Sequence, residues 1–270
     1  QSVDQLTPIN YTLQELVDME INFTGIPWFL PKLNATIGGG KRKTLGLIYA
    51  FVDTGKTSLG CRACAGFAKE LKDTQEIIVY AGNEESGSRV SLRINQALLG
   101  KTKSEIAADV KAAEAELKAL GRDRIQLFDS VTNIKQVEKL LDTIHPAILF
   151  IDQGTKIAIA GGSEEDVERT QKLFNRYREL AKRYDTQIIS LAQAVGEAEN
   201  RKYLKLSDIY GSRVAIQGEL DYSIGIGKEL DNAATQDHRF ISIAKNKLLD
   251  GDSTRFITQF DRQRCDFKEI

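Results

Sequence analysis

One short stretch constrains the fold more than any other. An apolar run, Leu45 to Tyr49, leads into Ala50-Phe51-Val52-Asp53-Thr54-Gly55-Lys56-Thr57, and a helical pattern follows over residues 57–71. Strand, glycine-containing turn and helix in that order make a phosphate-binding loop of the Walker A kind, here with alanine in the first glycine position. The turn aims successive backbone N–H groups at an anion, and the helix N-terminus adds its dipole. The pattern predicts that Val52, Asp53, Thr54, Gly55, Lys56, Thr57 and Ser58 bind ATP. Lys56 is expected to reach the β- and γ-phosphates and the Thr57 hydroxyl to ligate Mg2+. Asp53 brings a negative charge close to a triphosphate, so its side chain is expected to point outward.

From Thr44 onward, short apolar runs alternate with amphipathic stretches, the signature of an α/β fold with a mostly parallel sheet flanked by helices. Leu45 to Tyr49, Glu76 to Ala81, Ile125 to Phe128, Ala147 to Ile151 and Gln187 to Leu191 read as buried strands. Helices are expected near 57–71, 86–99, 103–120, 133–144 and 164–184. In the third of these, Ile106, Val110, Ala113, Leu117 and Leu120 fall on one stripe, and Gly121 supplies the stop. After Asp221 the pattern changes to Tyr222–Gly227, Arg239–Lys245 and Arg255–Phe260, which are expected to extend the sheet with antiparallel strands at its C-terminal end. Residues 1–23 read as a linker with a short docking helix after Thr12, apolar at Leu13, Leu16, Val17 and Met19; residues 24–270 form the main domain. That helix either folds back on its own domain or docks on a neighbouring subunit. The start at Gln1 is expected to belong to a longer protein.

Composition narrows the function classes. Hydrophobic residues make up 41% and charged residues 28% of the 270, the balance of an ordinary globular chain. No apolar stretch approaches the ~20 residues of a membrane-spanning helix, and no signal peptide opens the sequence, so no membrane partner and a cytoplasmic location are expected. Three cysteines, Cys61, Cys64 and Cys265, are an odd number that does not suit a disulfide framework. Cys61-Arg62-Ala63-Cys64 lies on the helix after the phosphate loop with no second pair near it, which favours helix packing over zinc or redox chemistry. A formal net charge of −1 gives no whole-chain footprint for nucleic acid. A ring that grips a strand only in its central hole needs basic residues on a few loops.

Three further positions sit where the sheet's carboxyl edge should be. Asp152 ends the run Ala147–Ile151, the place for a carboxylate that holds Mg2+ directly or through water. Gly82-Asn83-Glu84-Glu85-Ser86 follows another strand and puts two carboxylates at the same edge. One of them is placed to orient or deprotonate an attacking water, and an acid there also favours the helix dipole. Glu84 is read as the catalytic group and Glu85 as a helix-start residue. Gln193 follows the strand Gln187–Leu191, where its amide is placed to sense a γ-phosphate.

Taken together, these motifs resemble the C-terminal, RecA-like motor domain of DnaB-like hexameric replicative helicases, particularly those of phages. The match begins at Thr24-Gly25-Ile26-Pro27 and Gly38-Gly39-Gly40. It continues through the phosphate loop, Gly82–Ser86, Asp152 and Leu191-Ala192-Gln193, then Leu206–Ser212 and Ala215-Ile216-Gln217 to Asp221. The order and spacing of the motifs carry the resemblance, since each alone is shared with other RecA-like ATPases. It implies Glu84 as catalytic base, Gln193 as γ-phosphate sensor, the flanks of Gly211-Ser212 as part of a strand-facing loop, and a first helix that packs on the adjacent protomer. The family also sends a lysine and an arginine across to the neighbour's ATP. Here the matching segment is Ala244-Lys245-Asn246-Lys247, so Lys247 must serve in place of the arginine beside Lys245, a point charge instead of a planar fork. Arg239 and Arg255 are the alternative cations.

Contacts to single-stranded DNA are expected from two loops at the same edge. The first, Gln153 to Ser163, holds Lys156 and the Gly161-Gly162 pair; the second holds Arg201, Lys202 and Lys205, with Arg213 shortly after. The alternative for each is a solvated surface charge. The implied function is an ATP-dependent replicative DNA helicase motor: a homo-oligomer, expected as a hexameric ring, working with primase, polymerase or other replisome proteins in the cytoplasm, the host's if phage-encoded. A RecA- or KaiC-like recombination or regulatory ATPase, or a nucleotide-switched loading module, would use the same nucleotide site.

Overall fold

The computed structural model describes residues 10–21, 25–160, 166–210, 215–230 and 232–270. Thr12 and Glu15 form a capping box that starts α1 (Leu13–Leu16), and a π-helical turn, Val17–Ile21, continues it. Leu13, Leu16, Met19 and Ile21 are all exposed, so the apolar face of this segment is not packed on its own domain. Pro31, favoured in the first helical turn, opens α2 (Pro31–Ile37), which was not anticipated. Then follow β1 (Leu45–Ala50), α3 (Lys56–Leu71), β2 (Ile78–Ala81), α4 (Gly87–Leu99), α5 (Lys103–Ala108), α6 (Val110–Ala119), β3 (Ile125–Phe128), α7 (Ile134–Ile144), β4 (Ile148–Ile151), α8 (Asp166–Arg183) and β5 (Gln187–Gln193). The short α9 (Ala215–Glu219), also unanticipated, precedes β6 (Tyr222–Gly227), β7 (His238–Asn246), β8 (Arg255–Asp261) and β9 (Asp266–Glu269).

The strands form one nine-stranded sheet in the order β3-β2-β4-β5-β1-β6-β7-β8-β9. The first six are parallel and the last three antiparallel. The antiparallel extension expected after Asp221 is present, but Tyr222–Gly227, expected as its first strand, pairs parallel with β1, and the antiparallel strands are β7, β8 and β9. Every residue of β1, β2 and β4 is buried, because helices cover both faces. On one face α3 and α4 contribute Leu59, Phe67 and Ile94; on the other α7 and α8 contribute Leu141, Phe174 and Tyr177.

One expected helix is broken. Asp109 leaves helical geometry at φ −149° and its carboxylate accepts from Ala112 N at 3.0 Å, so it ends α5 and caps α6. Val110, expected on the buried stripe over residues 103–120, is instead 52% exposed. The remaining surprise is β9. It pairs with β8, and this hairpin folds over α3, where Asp266 bonds Arg62 at 2.6 Å and Cys265 Sγ donates to Ser58 O at 3.4 Å.

Candidate functional site

The carboxyl ends of β1, β2, β4 and β5 open into a cleft of about 400 Å³. Its floor is the loop before α3. Gly55 takes φ +108°, a conformation side chains rarely adopt, and an added Cβ would sit 3.3 Å from the Phe260 ring. The backbone therefore turns tightly into α3, where Leu59 N bonds Gly55 O at 2.8 Å. Asp53, Thr57 and Ser58 all line the cleft, with Asp53 exposed.

Lys56 is buried, and its Nζ lies 3.3 Å from Asp152 Oδ1 without a hydrogen bond to any described residue. A buried ammonium left short of acceptors, above a concave loop of N–H groups, fits the phosphates of a nucleotide. The oxygens that fit Mg2+ are those of Asp152, beside Lys56, and of Thr57, which lines the cleft. Asp152 is held by two donors, Gln153 N at 3.0 Å on Oδ1 and Tyr80 hydroxyl at 3.1 Å on Oδ2. Burial first, and the Asp152 charge second, push the Tyr80 hydroxyl far above its ordinary pKa, so it stays a donor.

Glu84 and Glu85 both line the cleft, with different partners. Glu84 Oε2 accepts from Gln153 Nε2, and its Oε1 lies 3.9 Å from Lys156 Nζ. Glu85 pairs with Arg93 at 2.6 Å, just ahead of α4. Gln193 stands in register with Ala50 on the adjoining strand and reaches the same cleft. Its carbonyl accepts from Tyr210 N at 3.1 Å, and the next residue, Ala194, bridges Ile209. The end of β5 is thus tied to the segment that carries Arg201, Lys202 and Lys205.

Lys245 and Lys247 are not brought into this cleft. Lys245 faces Ser223 at the start of β6, whereas Ala50, beside the cleft, faces Ile226 near its end. The two lysines therefore sit at the opposite edge of the sheet. Lys247 Nζ donates to Gly218 O at 2.8 Å, and burial, followed by the Lys247 charge, lowers the Lys245 pKa to about 8. Arg239 does not suit the role of a cation reaching outward. It is 1% exposed and donates to the carbonyls of Thr54 (2.6 Å), Gln236 (3.0 Å) and His238 (2.6 Å) beneath its own phosphate loop. Arg255 is exposed, 5.5 Å from the Tyr203 ring centroid.

Of the residues expected to touch DNA, Lys156 is exposed in the turn Gly154–Lys156 and Lys205 is exposed on the second loop. Arg201 is ion-paired with buried Asp208, and Lys202 with Glu229 at 3.0 Å. Gly227 explains why this backbone runs so close to β6: a Cβ there would collide with the carbonyls of Arg201 and Lys202. Arg213, Gly161, Gly162, Gly211 and Ser212 lie outside the described residues. Cys61, Cys64 and Cys265 are buried free thiols, with burial raising Cys265 to about 12, and no group of three metal-ligating side chains occurs among the described residues.

Several cleft residues carry no local sequence signal: Arg93, Gln96 and Lys103 from the helices, and Phe260 and Arg262 from β8 and the turn after it. Gln153 was visible only as the neighbour of Asp152. Phe260 stacks on Phe267 with ring centroids 4.3 Å apart and walls the cleft beside Gly55.

Fold and site together define a P-loop nucleotide-binding domain of RecA-like architecture. The profile of the AAA domain family matches residues 12–195, and the chain belongs to that family. Among solved structures, it is similar to the ATPase domain of G40P, 18% identical over 95% of this chain and 94% of that one, with a TM-score of 0.74. It is also similar to a DnaB-like replicative helicase whose structure was described together with its interactions with primase, at 19% identity and a TM-score of 0.76. That match covers 94% of this chain and 66% of the other. The fold is therefore that of DnaB-like helicase ATPase domains, as the motif order implies. No curated protein sequence matches the chain. Among the described residues no helix is long and apolar enough to cross a membrane.

Proposed function

We propose that the chain is the motor domain of an ATP-dependent replicative DNA helicase, hydrolysing ATP at subunit interfaces of a ring, six-membered by resemblance, to move along single-stranded DNA and unwind duplex. The observation that carries this reading is the gathering of Lys56, Asp152, Glu84 and Gln193 at one cleft while Lys245 and Lys247 stand at the far edge of the sheet. A site with a base and a sensor but without its expected trans-acting cations is what a subunit of such a ring would present alone.

In this reading the loop Val52–Ser58 and Lys56 hold the phosphates, and Thr57 and Asp152 hold Mg2+, which when bound neutralises charge on the phosphate oxygens. Glu84 takes a proton from the attacking water as the water oxygen bonds the γ-phosphorus and the bond to the ADP leaving oxygen breaks. Lys245 and Lys247 lend positive charge to the neighbour's γ-phosphate. Gln193 senses that phosphate and passes its loss to the Tyr210 side of the strand-facing loop through their backbone hydrogen bond. Lys156, Lys205 and the other loop cations track strand phosphates without reading bases. Residues 1–23 serve as a linker whose exposed apolar helix docks on the adjacent protomer. Primase, polymerase or other replisome proteins are the proposed partners.

Steady-state ATP hydrolysis with and without single-stranded DNA, across protein concentrations, tests this. Turnover should be stimulated by DNA, rise cooperatively with concentration, and vanish in Glu84→Gln while ATP binding persists. Turnover indifferent to DNA and concentration would replace the motor with a switch-like ATPase.

A further inference from the structure

An irregularity in β7 decides which side chains share a face of the sheet. Ile241, Ser242 and Ile243 pair with Ile226, Gly225 and Ile224, but Lys245 pairs with Ser223, so Ala244 is an extra residue in β7. Strict alternation would send Lys245 into the core on the α3 side, with Ile241 and Ile243. The bulge turns it to the opposite face, where Ser242 Oγ donates to Leu204 O at 2.8 Å. Arg255 stands in register with Ser242, and residues paired across antiparallel strands project from the same face. One sheet face thus presents both Lys245 and Arg255, at the edge opposite the chain's own cleft. There Lys205, Ser242, Ala244, Thr254 and Arg255 line a groove of about 520 Å³. The cations of this edge are not equally free. Lys247 Nζ donates to Gly218 O at 2.8 Å, and Lys245, held at about 8 by burial and then by the Lys247 charge, loses its proton as pH approaches that value. Arg255 is exposed, lies 5.5 Å from the Tyr203 ring centroid and has no carboxylate partner among the described residues. An aromatic ring steadies a guanidinium without consuming its N–H donors.

We propose that Arg255 acts beside Lys245 and Lys247 on the adjacent protomer's nucleotide, supplying from β8 the planar guanidinium that the segment Ala244 to Lys247 lacks. The inference rests on the ring reading given above. As the attacking water oxygen bonds the γ-phosphorus and the bond to the ADP oxygen breaks, negative charge spreads over the phosphate oxygens. A guanidinium donates to two such oxygens at once and keeps its charge where a lysine of lowered pKa does not. Ser242 and Lys245 are about 10 Å apart along β7 at ~3.3 Å per residue, so the arginine opposite Ser242 and the lysines approach one phosphate from two sides.

The test is steady-state hydrolysis by Arg255→Ala and Arg255→Lys, with and without an oligo-dT strand, and by mixtures with Glu84→Gln shown to co-assemble. Arg255→Ala should lower DNA-free kcat about 100-fold with KM for ATP and the urea midpoint unchanged, as loss of a transition-state donor at an exposed position does. Arg255→Lys should recover no more than about a tenth of the parent kcat, because a point charge does not replace the fork. Mixing Arg255→Ala with Glu84→Gln should lift turnover above the sum of the two chains. An Arg255→Ala chain with DNA-free kcat unchanged overturns the proposal, and if only the DNA stimulation is lost, Arg255 is a strand contact instead. A mixture that stays at the sum overturns the action in trans. If the parent's turnover is independent of protein concentration, the ring reading fails and this proposal falls with it; a cooperative parent beside a fully active Arg255→Ala sinks this proposal alone.

Discussion

The antiparallel tail ends differently at the two edges of the sheet. Where β7 begins and β8 ends, Arg239, Phe260 and Arg262 fold onto the chain's own phosphate loop, with Arg239 bonded to Thr54 O and Phe260 against Gly55. Where β7 ends, Lys245 and Lys247 stand at the opposite edge, tied to the region of Gly218. The same two strands and the turns after them thus carry one set of groups that folds onto the chain's own site and another that does not reach it. Geometry, not residue type, separates them: a buried arginine with backbone carbonyls around it is a brace, and lysines at the far edge are available to another molecule.

Four changes would sharpen or break that division. Removing the brace should cost most. Arg239→Ala leaves the carbonyls of Thr54, Gln236 and His238 without their donor and should destabilise the chain by about 3 kcal/mol in urea unfolding, with a raised KM for ATP. Lys247→Ala should leave stability and KM nearly unchanged and lower kcat about 100-fold, as loss of a transition-state donor does. If its effect fell on KM in a monomeric chain, the cis and trans assignment would be wrong. Phe260→Ala should do the reverse and more gently, raising KM about tenfold with kcat little changed, because it takes a wall from the cleft and not a charge from the reaction.

The smallest effect is a pH profile. Burial, then the Lys247 charge, holds Lys245 at about 8 instead of 10.5. A lysine with a depressed folded pKa loses its proton earlier in the folded chain, so turnover that needs its charge should fall as pH rises through about 8. In Lys247→Ala the residual activity should persist to higher pH. The linkage to stability has the opposite sign: the unfolded chain binds more protons between those two pKa values, so this group's contribution to stability grows as pH rises across that interval.

The parallel half was legible because its chemistry is local. Glu84, Asp152 and Gln193 each stand at or just beyond the carboxyl end of a buried apolar run, and parallel pairing brings such ends together without further information. The tail was less legible because its contribution depends on long-range closure. β9 has only Phe267 fully buried and offers no apolar run, and its hairpin turns through Cys265 at φ +50°, so neither the strand nor its position over α3 could be read from spacing. Asp109 misled for a related reason. Its side chain competes with helix continuation for Ala112 N, and periodicity cannot see that competition. Gln153 sat beside a recognised carboxylate, yet its contact with Glu84 spans two strands and became visible only in three dimensions.

The most direct test of the division between cis and trans groups is hydrolysis by a mixture of two inactive chains. Glu84→Gln lacks the proposed base but keeps Lys245 and Lys247; Lys247→Ala keeps that base but lacks the cation proposed to serve its neighbour. If the far-edge lysines act on the adjacent subunit's nucleotide, mixing the two restores intact interfaces, and ATP turnover exceeds the sum of the separate chains. Turnover that stays at that sum, in mixtures shown to co-assemble, would contradict the account.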